Sequence, residues 1–244
     1  LKRNRSITSV LLIKEFFLEL PQEIRDRFMK VEPAAIGHFI SRGFMKPEIK
    51  PVTDEMKIVG PAYTIRCTAR DSSALYYAIQ KAPKGSVLVV DRAGDHTFAC
   101  VGEFVAIMAE ANGMAGIVID GPATDSRALK ASKSRFPIFC TGFSPVTSNV
   151  TGTSGEVQIP IECGGAAVLP GDIIFGDADG VIIVPQDYMP LLEIAEKKAA
   201  DEIKKREEIA NGYVYKRRED FDAAAFFEKG AKTALNALKQ QCHY

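Results

Sequence analysis

Two short apolar runs constrain this chain more than anything else in it: Ser86-Val87-Leu88-Val89-Val90-Asp91 and Ile117-Val118-Ile119-Asp120. Each is rich in β-branched residues, shows no polar alternation and ends on an aspartate, the pattern of a strand buried on both faces. Between them, Gly102 to Asn112 reads as a helix, with Gly113 as its C′ residue. A strand, a helix and a second strand of this kind form a right-handed parallel unit, which brings both aspartates to one edge of the sheet. In open α/β sheets ligands bind beyond that edge, at the carboxyl ends of the strands.

The second run continues into Gly121-Pro122-Ala123-Thr124-Asp125-Ser126-Arg127, so a turn, a second acid and an arginine share one loop. Upstream, residues 9–30 read as helical with a break at Pro21, a short helix falls within 33–44, and Lys46 to Pro51 is extended between two prolines. Tyr63 to Thr68 alternates as a strand, and Ser72 to Lys81 reads as a helix. Downstream come a short helix at 128–133 and a strand at Phe136 to Cys140. The chain then turns mostly β: Val157 to Ile161, Ala166 to Val168, the turn Pro170-Gly171-Asp172, and a hairpin of 173–177 and 181–185 about Asp179-Gly180. Helices are expected at 187–211 and 219–240. The fold class is therefore mixed α/β, with an N-terminal helical segment (1–31), a core (32–186) and C-terminal helices (187–244). No G-x-G-x-x-G follows a strand, so a dinucleotide site is unsupported.

The chain has 244 residues, 46% of them hydrophobic, enough for one domain with terminal extensions or at most two small domains. Lys+Arg and Asp+Glu are both 31, so the basic footprint of a nucleic-acid binder is missing and self-repulsion does not oppose oligomers. No apolar run approaches the roughly 20 residues of a membrane span. The five cysteines (Cys67, Cys100, Cys140, Cys163 and Cys242) are odd in number and form no CxxC pair. None lies at zinc-ligand spacing from His38, His96 or His243. A reduced, cytoplasmic setting is expected.

Three loops can converge on the sheet edge: Asp91 to His96, Gly102 to Val105 at a helix start, and Asp120 to Arg127. The free N–H groups of Glu103, Phe104 and Val105 suit one end of an organic acid, beside a hard metal ion on Asp125. Asp125 reads equally as the N-cap of the next helix, Glu103 as a first-turn acid, and Asp120 as a turn former. His96 stands alone in its loop, and Cys163-Gly164-Gly165 reads as a tight structural turn.

Gly94-Asp95, Gly102-Glu103 and Asp120-Gly121-Pro122-Ala123-Thr124-Asp125 together resemble the RraA-like family, which includes metal-dependent 4-hydroxy-4-methyl-2-oxoglutarate aldolases. Thr141-Gly142-Phe143-Ser144-Pro145, Cys163-Gly164-Gly165, Pro170-Gly171-Asp172 and Asp177 to Val181 follow in the same order, over roughly residues 32–210. The resemblance implies a swivelling β/β/α domain assembled as a homotrimer or homohexamer, with sites between subunits. It implies Mg2+ or Mn2+ on Asp125, largely hydrated, and substrate held by Gly102, Glu103, Phe104 and Val105. Glu103 would orient bound water, and Glu202, or else Glu196, would come from a neighbouring subunit's C-terminal helix. The implied reaction is retro-aldol cleavage of a 4-hydroxy-2-oxo acid to pyruvate, with oxaloacetate decarboxylation alongside.

One departure stands out. The family aldolases carry Arg-Asp where this chain has Thr124-Asp125, and a hydroxyl replaces a charged donor fork. Arg127, Arg92 and Arg66 are the candidates to take over that role. His38 replaces a frequent family aspartate. Two further readings follow: a non-catalytic regulator acting by protein binding, and a related enzyme for a different small acid.

Overall fold

The computed structural model describes residues 20–131, 136–213, 224–225 and 227–232. Of the expected elements, the first half of the 9–30 helix (residues 9–19), the end of the 128–133 helix and much of the 219–240 helix lie outside the described residues.

Both apolar runs are strands in the middle of a mixed sheet: β3 (Val87–Asp91) and β4 (Gly116–Asp120) pair in parallel, with Asp91 opposite Asp120. Chain-order labels for the other strands are β1 (Lys50–Pro51), β2 (Ile58–Arg66), β5 (Pro122–Ala123), β6 (Ile138–Cys140), β7 (Gly142–Phe143), β8 (Glu156–Val157), β9 (Ile161–Cys163), β10 (Ala166–Val168), β11 (Ile173–Asp177) and β12 (Gly180–Val184). The helices are α1 (Gln22–Met29), α2 (Pro33–Gly37), α3 (Ser73–Lys81), α4 (Glu103–Ala111), α5 (Ser126–Ala131) and α6 (Met189–Ala210). The sheet order is β1-β6-β4-β3-β2-β11-β12, with β8 also on β2. β2, β3, β4 and β6 are parallel, while β11 and β12 add antiparallel strands.

Side-chain alternation divides the core. Leu88, Val90, Ile117 and Ile119 face Leu75, Ala78, Val105 and Ala109 of α3 and α4. Val87, Val89 and Val118 face the other way, onto Ile161, Cys163 and Val168 of the β9–β10 hairpin. A third cluster joins Phe28 and Ile36 to Phe175, Val184 and Leu192. The sheet comes close to closing on itself. Met45 N–H donates to Val181 O at 3.1 Å, and Lys50 Nζ donates to Asp179 O at 2.8 Å, so the chain before β1 covers the β12 edge.

Two boundaries differ from the sequence expectation. β2 starts at Ile58 and runs through Pro61. Proline is tolerated because the strand changes partner there: Ile58 to Pro61 pair with β11, Ala62 to Arg66 with β3. The alternating Val157 to Ile161 segment is not one strand, since Gln158 takes φ 56° and Pro160 lacks a donor, so pairing stops at Val157 and resumes at Ile161. α2 falls within the expected 33–44 span, ending at Gly37 with His38 as its C-cap.

The chain divides into two compact units, Leu1–Ala199 and Ala200–Tyr244. Within the first, Arg27 makes a two-bond ion pair with Glu196, both bonds 2.8 Å. Among the described residues no helix is long and apolar enough to cross a membrane.

Candidate active site beyond the strand ends

The loop after β4 is zipped to its neighbours by backbone bonds. Thr141 N–H donates to Gly121 O at 3.0 Å, Ser144 N–H to Ala123 O at 2.9 Å, and Thr124 N–H to Val101 O at 2.8 Å. β5 thus lies between Val101 and β7 and leads into Asp125. Below it, Gly121 sits against the buried Arg92 side chain, and a Cβ there would stand 2.7 Å from Arg92 Cγ.

Asp125 stands at the head of α5, its carbonyl accepting the Leu129 N–H at 3.0 Å, and it has φ 55°. The left-handed conformation costs an aspartate about 1 kcal/mol. Its carboxylate does not cap its own helix. Oδ2 accepts the N–H of Glu103, the first residue of α4, at 3.0 Å. Oδ1 has no hydrogen-bond partner among the described residues. Gly102 permits this approach, because a Cβ there would overlap Asp125 Oδ2 and lie 2.8 Å from Thr124 Cγ2. The second and third expected loops therefore do converge, with one correction: the Glu103 N–H is taken, which leaves those of Phe104 and Val105 as the open first-turn donors.

A cavity of about 760 Å³ opens here, lined by Glu103, Thr124, Asp125 and Arg127 on one side and Phe143 and Ser144 on the other. Arg127 is exposed, with no hydrogen bond or ion pair among the described residues. The other two arginine candidates are corrected. Arg92 is 1% exposed and donates to Cys67 O, Ala69 O and, at 2.6 Å, Asp95 Oδ2. Arg66 is paired with Asp91 at 2.9 Å and Glu156 at 3.3 Å. Burial opposes ionisation of Asp95, but N–H donation from Thr97 and Phe98 and the Arg92 guanidinium hold its carboxyl below the ordinary range. The Asp91–His96 loop is thus fastened from within.

The remaining expected residues fall elsewhere. Asp120 does not build its own turn; its Oδ2 accepts the Gly164 N–H of the β9–β10 hairpin at 2.9 Å. His96 lines a separate cavity with Asp120. Glu196 is committed to Arg27, and Glu202 lies in the second unit, 3.9 Å from Arg206. The four described cysteines are free and buried, and no group of three metal-ligating side chains occurs among the described residues. The Cys100 thiol is pushed up by its hydrogen bond to Cys67 and by burial. Phe143 and Ser144 form the cavity wall, a role that sequence reasoning did not assign although their motif was in view. Lys130 Nζ sits 5.4 Å from the centre of the Phe143 ring.

A Halalkalibacterium halodurans protein named "Putative 4-hydroxy-4-methyl-2-oxoglutarate aldolase" is 44% identical over 155 residues, 63% of this chain and 72% of its own length. Streptomyces coelicolor RraAS2, described as an unusual member of the RNase ES inhibitor RraA protein family, superposes with TM-score 0.64 at 26% identity, covering 80% of this chain and 98% of its own. An uncharacterized protein from Pseudomonas syringae pv. tomato gives TM-score 0.68 at 26% identity, covering 81% and 93%. The RraA-like (Aldolase/RraA) family pattern matches residues 29–183, over half of the chain, and the chain belongs to that family.

Proposed function

We propose that the chain is a divalent-metal-dependent lyase that cleaves a 4-hydroxy-2-oxo acid to pyruvate, with oxaloacetate decarboxylation as a side activity. The observation that carries the reading is the Asp125 carboxylate, fixed through Oδ2 on the α4 N-terminus at 3.0 Å, with Oδ1 unpartnered among the described residues beside a cavity. One carboxylate with one oxygen to spare fits an ion that keeps most of its water, as Mg2+ or Mn2+ does. When bound, the ion supplies Lewis-acid stabilisation of the charge that develops on the 2-oxo oxygen.

This chain's own residues do the rest. Arg127 holds the substrate carboxylate, and its fork takes over from the family arginine that Thr124 replaces. The Phe104 and Val105 N–H groups, at the positive end of α4, face the same charge. The Thr124 hydroxyl adds one weak donor. Glu103 lines the cavity and holds the proton that leaves the 4-hydroxyl as the C3–C4 bond breaks and a carbonyl forms at C4. C3 then takes a proton to give pyruvate. In a homotrimer or homohexamer, Glu202 of a neighbouring copy completes the site.

Pyruvate release from 4-hydroxy-4-methyl-2-oxoglutarate and from oxaloacetate, with Mg2+ and after chelation, tests the proposal. No turnover of either substrate sinks the lyase reading. The protein-binding regulator, which the likeness to RraAS2 supports, then stands in its place.

A further inference from the structure

We infer that a second cavity, on the other side of Phe143, binds a zwitterionic amino acid with an apolar side chain. The cavity measures about 410 Å³, and its polar lining is Lys46, Glu48, His96, Asp120 and Thr141. These residues come from separate places in the chain: the segment before β1, the loop after β3 and the ends of β4 and β6. The Cys163-Gly164-Gly165 turn builds the site. Gly164 has φ 58° and Gly165 φ 76°, conformations that favour glycine. The Gly164 N–H fixes Asp120 Oδ2 at 2.9 Å, which leaves Oδ1. Lys46 N–H donates to Gly164 O at 2.8 Å, and its side chain lies across Gly165, where a Cβ would come within 3.2 Å of Lys46 Cε.

The side chains of Lys46, Glu48, His96 and Thr141 have no hydrogen bond or ion pair among the described residues. The lining therefore presents one fixed positive charge, Lys46, and two negative ones, Glu48 and Asp120, against a wall of Ile49, Pro122 and Phe143. A bare anion meets more negative than positive charge there. A carboxylate on Lys46 with an ammonium on Asp120 and Glu48 matches both signs with charge-assisted bonds, and the wall accepts an apolar side chain. Phe143 lines both cavities, so an occupant of the second bears on a wall of the first.

The test is NMR titration of the intact protein, following the His96 ring protons, which are assigned with a His96→Gln variant. Probes are L-phenylalanine, 3-phenylpropanoate (no amine) and phenethylamine (no carboxylate). L-phenylalanine is expected to shift the His96 signals saturably and to bind at least tenfold more tightly than either one-ended analogue. Lys46→Met should weaken L-phenylalanine tenfold or more and leave phenethylamine unchanged. Glu48→Gln, at an exposed side chain that supports nothing, should weaken both amines and leave 3-phenylpropanoate unchanged. The absence of a saturable shift with L-phenylalanine overturns the inference. So does 3-phenylpropanoate binding as tightly as L-phenylalanine, or L-phenylalanine binding unchanged in both variants.

Discussion

Gly102→Ala isolates the contact on which the site rests. Gly102 has φ −135° and ψ −172°, an extended conformation open to alanine, so the backbone sets no penalty. The whole cost comes from the methyl group, which would overlap Asp125 Oδ2 and stand 2.8 Å from Thr124 Cγ2. Asp125 cannot retreat as a unit, because the bonds Thr124 N–Val101 O at 2.8 Å and Leu129 N–Asp125 O at 3.0 Å hold the backbone on either side of it. Relief requires the carboxylate to rotate off the Glu103 N–H. Losing that charged, exposed hydrogen bond costs about 1.5 kcal/mol. Displaced packing adds about 1 kcal/mol at the low end of the overpacking range. A total of roughly 2–3 kcal/mol lowers the Tm by roughly 4–12 °C in a protein of this size. Manganese affinity, measured by calorimetry, should fall about 10–100-fold, the usual cost of losing a partner of a metal ligand. Gly94→Ala is the control, since φ there is +80° with nothing within 4 Å of the added Cβ. It should cost about 1 kcal/mol of backbone strain and leave manganese binding alone. A Gly102→Ala protein with native Tm and native manganese affinity would refute the argument.

Arg127→Gln should lower kcat/KM for the oxo acid about 10–100-fold, the equivalent of one charge-assisted fork; an unchanged value assigns substrate recognition elsewhere. Arg92→Met should destabilise by about 3 kcal/mol or more in chemical denaturation, because it strands Asp95 and the buried Cys67 carbonyl and frees the Ala69 carbonyl; a loss near zero would mean the loop is held by other means. Asp71, which is buried, accepts hydrogen bonds from Ser73, Thr151, Thr153 and Ser154, led by the Ser73 hydroxyl, and its carboxyl is held far below the ordinary range. Its contribution is present above the unfolded carboxyl value of about 3.9 and is lost only as pH falls below it. An Asp71→Asn variant whose acid unfolding matched the parent's would contradict this. Burial pushes the Tyr63 phenol up to about 12. The unfolded phenol ionises first, so stability should fall as pH rises from about 10, and Tyr63→Phe should flatten that slope.

The strands that frame the site were legible because burial on both faces leaves no choice of pattern. Val87 to Val90 and Ile117 to Ile119 are apolar without a break, and they alternate between two cores that both need filling. Boundaries failed where a local conformation overrode the pattern. Gln158 at φ 56° breaks an alternation that the residue types alone support, and Pro61 survives inside β2 because the strand changes partner there. Neither event has a signature in residue type, since each depends on what lies alongside.

The same distinction governs the site. From the sequence, Asp125 is at once the N-cap of the helix that follows it and a candidate metal ligand, and these readings compete for one carboxylate. The fold separates backbone from side chain. The Asp125 carbonyl starts α5, while Oδ2 turns to the first N–H of α4, two β-strands earlier in the chain. That turn needs a residue without a side chain at 102, a left-handed aspartate, and Val101 bonded to Thr124, three features each unremarkable alone. The arginines divide in the same way. Arg66, Arg92 and Arg127 are equivalent as residue types. Ion pairs consume the first two, while Arg127 lines the Asp125 cavity with no partner among the described residues. If Arg127 fills the place that Thr124 vacates, then Thr124→Arg should change little in the parent protein and should restore kcat/KM in the Arg127→Gln background. A gain in the parent as large as the gain in the variant would mean that the two positions act independently and that Arg127 had never taken over the role.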